Sequence, residues 1–449
     1  MHSSRRREIL RLQIIKTSRS LGQGALLVTF ALYLDELGWT ASEIGLLFSA
    51  GSLLGAALSV PIGILSDRIG RKQFVLINEI VIALAAAVAA LSSSSIVLSV
   101  ASMLGAFGRG QVGMVGPAGP AEQAWMAELT EPRERSRIYS VNSALGFMGT
   151  GAGALLAGLL PLWSGSVSVM LAYAPFFALV FVTSLLNVYL IAKTRTMQEL
   201  RAEEGEHAAP SQASSAPRER GRATDTPAVD ASDASDAKPA LTPEEDLALR
   251  RQENALMLKL CGINALNGVA IGLTSPLMAY WFFLKFGTGP GALGPVFAIT
   301  YFATAFASIA TGRVSERIGI VRSVVSIRLL AVFLLVVMPI IPSFWLAAVV
   351  HTFRSSLSRG TGGARQALTV NLVRDERRGF ASSMNSISSR LPNALGPMVA
   401  GFMLDAGQLA LPFIVAAVMQ FAYGVLFGKA FQAHDPNAVP APARAAARS

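Results

Sequence analysis

The chain has 449 residues, 52% of them hydrophobic and only 15% charged, with a mean hydropathy of +0.49 and a formal net charge of +10. Soluble domains carry about 25% charged residues, so this balance excludes a soluble globular protein and a disordered chain, and the single cysteine, Cys261, excludes a disulfide scaffold. What remains is a polytopic helical membrane protein.

In chain order, residues 2–19 come first, basic and partly amphipathic, and read as a cytoplasmic helix lying on the anionic leaflet. No cleavable signal peptide is visible. Apolar runs of about 20 residues can cross the hydrocarbon core. They predict spans at 20–38, 44–65, 74–92, 97–127, 139–162 and 167–192, then at 255–284, 291–312, 321–341, 343–372, 380–404 and 408–430. The expected fold is all-α, with twelve transmembrane helices in two six-helix bundles, 20–192 and 254–432. Between them, 193–253 reads as a disordered linker, rich in Ala, Ser, Pro and Asp over 208–243, and 433–449 is a tail. Gly and Pro interrupt the fourth span at Gly113, Gly116, Pro117, Gly119 and Pro120, so an unbroken helix is not expected there.

Arginine and lysine mark one side of the membrane. They follow the even-numbered spans as Arg68, Arg71 and Lys72, as Arg133, Arg135 and Arg137, as Arg313, Arg317 and Arg322, and as Arg374, Arg377 and Arg378. The N-terminus adds Arg5, Arg6, Arg7, Arg11, Lys16 and Arg19. The other side carries Lys285 with Asp35, Glu36, Glu43 and Asp405. The bias places both termini and the linker in the cytoplasm. Basic residues scattered over short loops are a topology signal, and no nucleic-acid partner is expected.

The halves are copies. Residues 63–70 read GILSDRIG and 312–319 read GRVSERIG. Residues 120–158 align with 363–401 without gaps, pairing Gln123 with Gln366, Ser143 with Ser386 and Gly153 with Gly396. Two halves of the same orientation make a parallel repeat, which places a binding site between them near the midplane.

The stretch Gly63-Ile-Leu-Ser-Asp67-Arg68-Ile-Gly70-Arg71-Lys72 resembles the signature of the major facilitator superfamily, and Gly312, Glu316, Arg317 and Gly319 form its degenerate second copy. The resemblance covers about residues 18–432 apart from the linker, and implies the twelve-helix fold and alternating access. It also implies a cytoplasmic latch, with Asp67 near the helix start at Phe380–Ser383 and Glu316 near Ile138–Ser140, joined by Arg68, Arg71 and Arg317. An acidic side chain suits the unpaired N–H groups of a helix start. The sequence is most similar to drug/proton efflux members. Arg109-Gly110-Gln111 resembles their fourth-helix motif with shifted spacing, and Gly396-Pro397 lies in the eleventh span instead of the fifth.

Leaving aside Arg322 at the edge of the ninth span, six arginines fall within the spans: Arg109, Arg328, Arg354, Arg359, Arg365 and Arg390. Arg328 is close enough to the cytoplasmic end to snorkel. Arg390 is about 15 Å deep at 1.5 Å per residue, beside Ser382, Ser386, Ser389 and Asn393. His351, Arg354, Ser358 and Arg365 share a helical face. Arg365 aligns with Glu122, so the symmetric positions hold opposite charges able to pair across the halves, and Glu79 is a weaker acidic candidate. Ser20 with Gln23-Gly24, and Asn264 with Asn267-Gly268, repeat a smaller polar pattern in the first and seventh spans. For each group, helix packing is the competing reading.

These features point to a secondary transporter of a small organic molecule in the plasma (inner) membrane, coupled to protons and directed to efflux, acting as a monomer among membrane lipids. Uptake or exchange of an anion, and a non-transporting sensor, are the alternatives. No GxxxxGK[ST], HExxH, GxSxG or Cys/His cluster is present, so no enzyme activity, cofactor or metal is expected.

Overall fold

The computed structural model describes residues 2–109, 116–131, 134–197, 199, 243–362, 365, 368 and 378–432. The first half contains α1 (His2–Glu36), α2 (Ala41–Ile69), α3 (Arg71–Ala90), α4 (Ser95–Gly105), α5 (Gly119–Leu129), α6 (Arg135–Ala157), α7 (Pro161–Ser164) and α8 (Val169–Lys193). The second contains α9 (Pro243–Thr274), α10 (Met278–Phe286), α11 (Pro290–Ile318), α12 (Ile320–Val337), α13 (Phe344–Gly360), α14 (Arg378–Asp405) and α15 (Leu411–Phe431). Among the described residues, eight helices are long and apolar enough to cross a membrane.

Local chemistry sets the breaks. Gly70 (φ 120°) and Gly319 (φ 91°) each join two helices through one residue in the left-handed region, where a Cβ would be strained. The fourth span is broken, but the break starts earlier than its Gly–Pro cluster predicts: α4 ends before Ala106 (φ 59°), Gly108 (φ 71°) follows, and Gly119 and Pro120 already belong to α5; residues 110–115, Gly113 among them, lie outside the described residues. The seventh span, expected as one helix, is two. Ser275, Pro276 and Leu277 separate α9 from α10, because Pro276 lacks an N–H and its ring collides with the preceding turn. The tenth span is helical over Phe344–Gly360, and most of its remainder to 372 lies outside the described residues.

The N-terminal segment corrects the sequence expectation. It continues α1 and docks on the bundle: Leu12 and Ile15 are buried with Val75, Trp125, Met126 and Ile191. Buried Glu8 accepts from Arg11 at 2.8 Å and from the Arg195 N–H at 3.1 Å. Of the apolar residues expected on the leaflet, Leu12 and Ile15 cover α3, α5 and α8, while Leu10 and Ile14 stay exposed. The second half likewise starts earlier than expected, since α9 takes in residues 243–253 of the expected linker; residues 200–242 lie outside the described residues.

Glycines allow the closest helix contacts. A Cβ on Gly24 or Gly153 would overlap the backbone of α6 or α1, and one on Gly268 or Gly396 would overlap α14 or α9. The first helix of each bundle is thus pressed on the fifth in the same way in both halves. Between the halves, α2 packs on α14 and α6 on α11. Gly45 meets the Pro397 carbonyl, Gly401 meets Ala41, and Gly294 meets Gly158. These contacts lie at the ends of the helices away from the basic loops.

Candidate functional site

In the first half, Arg19 of α1 reaches two carboxylates. Its Nε donates to Glu79 Oε1 of α3 at 2.5 Å and its Nη1 to Glu122 Oε2 of α5 at 2.8 Å. Asn187 of α8 donates to the second Glu79 oxygen at 3.1 Å, and the Ser18 hydroxyl donates to Asn187 Oδ1. Side-chain exposures are 2% for Arg19, 0% for Glu79 and 10% for Glu122. One guanidinium therefore bonds two carboxylates in a site nearly closed to water, and the charge of Lys16, one turn earlier on α1, also acts on Glu122. Glu122 lies in the first turn of α5, where the helix N-terminus also favours negative charge.

Three sequence expectations change here. Glu122 is paired with Arg19 and not with its repeat partner Arg365. Glu79, ranked as the weaker acid, is the most enclosed member. Arg19, grouped with the topogenic N-terminal charges, stands at the centre because α1 is one helix through Ser18 and Ser20. The usable signal was an arginine at the edge of the first apolar run and two carboxylates inside later spans.

A small cavity of about 50 Å³ lies between the halves, lined by Gln23, Ser52, Gly55, Ala56, Ala106, Arg109, Gly116 and Arg390. The left-handed break after α4 folds Arg109 back on the helix it has left. Its Nη2 donates to the Met103 and Ser102 carbonyls at 3.0 and 3.3 Å, the electronegative end of α4. Arg109 also packs over Gly51, where a side chain would displace it. Gln23 donates to the Gly105 carbonyl at 2.9 Å. Arg390 enters from α14. The lining residues include two guanidinium groups and no carboxylate.

The other candidates are dispersed. Asn264 donates to Asn385 at 2.8 Å, Asn267 is buried, and Ser386 is half-buried. His351 is enclosed by Phe282 and Phe297, with ring centroids at 5.6 and 5.3 Å, and contacts Ser355 at 3.5 Å. Arg354 is buried one turn on, and Arg359 covers the Tyr301 ring at 4.8 Å. Arg365 is half-buried, Gln123 is exposed, and Gln366 lies outside the described residues. Arg328 does not snorkel. It is 1% exposed, donates to Ser358 at 2.8 Å and Gln420 at 3.2 Å, and covers the Tyr423 ring. It points into the bundle of α12, α13 and α15, where those acceptors are.

In the signature motif, Arg71 donates to the Ala124 carbonyl at 3.0 Å and pairs with Glu128 at 2.7 Å, tying the α2–α3 turn to α5. Gly63 faces Pro120, and Arg68 is exposed. Gly312, Glu316 and Arg317 belong to α11; their side chains, and that of Asp67, lie outside the described residues.

At the opposite end, an unforeseen contact joins the halves. Asp405 accepts from the Ala41 and Ser42 N–H groups, both at 2.8 Å, capping α2 beside the Thr40–Glu43 capping box. Tyr280 donates to Asp35 at 2.7 Å, and Ser49 accepts from the Met398 N–H at 2.8 Å.

The family model "Major Facilitator Superfamily" matches residues 14–231 and 260–449. A multidrug resistance protein, MdtH of Edwardsiella ictaluri (strain 93-146), is 28% identical over 131 residues, a segment spanning 29% of this chain and 30% of that protein. Among solved structures, a bacterial homologue of the human lysosomal transporter Spinster, inward-facing and unoccupied, superposes with a TM-score of 0.66 at 16% identity, over 96% of this chain and 97% of that one. A D-xylose–proton symporter gives 0.67 at 12% identity over 94% and 97%. The human organic anion transporter MFSD10 gives 0.58 at 17% over 94% and 99%. The chain belongs to the major facilitator superfamily and is a membrane transporter, not an enzyme.

Proposed function

We propose that this secondary transporter couples export of a small organic molecule to protons, and that Glu122, with Glu79, carries the proton. The carrying observation is the Arg19 site: two buried carboxylates share one guanidinium. Two carboxylates thus meet one guanidinium, with Lys16 close enough for its charge to act on Glu122. Of the two acids, Glu122 is the more exposed. Its protonation would weaken the bond from Arg19 Nη1 and leave Arg19 to Glu79. α1 and α5 would then be freer to shift relative to one another, linking the proton to rocking of the halves. The partial likeness to a multidrug resistance protein favours export. The test is Glu122→Gln in proteoliposomes. Gradient-driven accumulation is expected to be lost while substrate-for-substrate exchange persists. Full accumulation by the variant would remove Glu122 as the carrier.

The substrate reading rests on the cavity between the halves. Arg109 and Arg390 without a lining carboxylate favour an anionic molecule, the second reading. A charge-assisted hydrogen bond contributes about 1.5–3 kcal/mol, so Arg390→Ala should weaken binding of an acid by about tenfold to a hundredfold. Unchanged affinity would point to a neutral or cationic substrate. The motif residues Asp67 and Glu316 are proposed to latch the basic-loop end when the opposite end opens. The expected setting is a monomer in the inner membrane.

A further inference from the structure

The repeat carries the Arg19 site into the second half with its charges reversed. Glu79 is the ninth residue after Gly70, and Arg328 is the ninth after Gly319. Glu122 aligns with Arg365, each immediately before a glutamine. Arg19 precedes Ser20, whose counterpart is Asn264, so its own counterpart is Ile263. The positions of the two carboxylates thus hold two arginines, and the position of the cation holds an apolar residue.

Arg328 shows what such a site lacks. Its Nη1 is satisfied by Ser358 and Gln420, but its Nε and Nη2 are buried and have no hydrogen-bond partner among the described residues. These two nitrogens form one edge of the guanidinium, the fork that takes a pair of oxygens side by side. No described carboxylate pairs with Arg328, and the charge of Arg365 acts on it from nearby. Leaving buried donors unpaired is costly, and a second positive charge raises that cost.

We propose that the unpaired edge of Arg328, beside Ser358 and Gln420, binds a small carboxylate-type oxyanion, the mirror of the Arg19 cation in the other half. None of its described partners lines the cavity between the halves, so this site is separate from the substrate cavity and stands whether or not protons drive transport. Such an anion is either a free one resident in the bundle or the carboxyl group of a transported compound.

The test uses the purified full chain in detergent, with sodium formate as probe and sodium chloride at equal ionic strength as reference. Formate is expected to raise Tm saturably and above the chloride response. Arg328→Gln should lose that increment, and Arg250→Gln, at an exposed arginine, should keep it. Equal responses to formate and chloride, or a formate increment that persists in Arg328→Gln, would overturn the site. If Arg328→Gln does not fold, Arg328→Lys keeps the charge but not the fork. It should raise the half-saturating formate concentration about tenfold or more, and an unchanged value overturns the proposal. Labelled formate in proteoliposomes separates the two sources once binding depends on Arg328: retention marks a resident anion, exchange a transported carboxylate.

Discussion

In the first half an arginine stands between two glutamates. In the second, the glutamate positions hold Arg328 and Arg365 and the arginine position holds Ile263. The glycine contacts did not change with the charges. Gly24 and Gly153 press α1 on α6 as Gly268 and Gly396 press α9 on α14. Backbone packing tolerates almost no variation there, because a single Cβ collides. The polar groups within each bundle are free to diverge, provided each buried charge finds a counter-charge. One bundle supplies its own, while the other presents an arginine edge for one from outside.

Removing the arginine tests this contrast most severely. Arg19→Ala leaves Glu79 and Glu122 buried without their cation, and breaking a buried pair costs about 3–5 kcal/mol. Thermal denaturation should show a large loss, partly restored by adding Glu79→Gln. Normal stability of Arg19→Ala would end the comparison. The expectation for the other half is opposite. In buffer without small oxyanions, Arg328→Met should leave Tm unchanged or raise it, since an apolar residue of similar volume avoids the burial cost; a collapse would mean that the second half is already neutralised.

Two further substitutions address the contacts between halves. Asp405→Asn weakens both bonds to the start of α2. A loss of about 1.5–3 kcal/mol should shift the population toward opening at that end, read as faster labelling of a cysteine placed at Ser49. An unaltered rate would make the contact incidental. Tyr280→Phe removes one hydrogen bond to Asp35, and its effect on the same measurement should be smallest, corresponding to about 0.5–1.5 kcal/mol.

Hydropathy, basic loops and the internal repeat made the helical class and the family legible, since each is written in consecutive residues. The turn at Gly116–Pro117 before α5 was legible for the same reason, whereas Pro276 was overlooked inside an apolar run. The site was harder to read. Glu122, Arg109 and Arg390 stood out as charges in apolar surroundings, but Arg19 sits where topogenic charge ends and the first span begins. Its partners lie 60 and 103 residues away, and only the packing of α1 on α3 and α5 brings them together. Arg328 was misread because distance from a helix end says nothing about which way a side chain points. Asp405 looked like an outward-facing loop charge, although its carboxylate caps a helix of the other half.

The position of Arg19 also bears on how the protein is made. The first span leaves the ribosome carrying that arginine, while Glu79 and Glu122 belong to helices synthesised later. Until then the guanidinium must stay near the lipid headgroups or in water, because an uncompensated charge enters hydrocarbon only at a cost of about 2.5–3.5 kcal/mol or more. The first helix would therefore settle at its final depth after the third and fourth have arrived. Chains cut before residue 79 should hold it loosely in the bilayer, and those extended past residue 122 should hold it firmly. The ion site then serves as a checkpoint in membrane assembly, passed when the last carboxylate is in place.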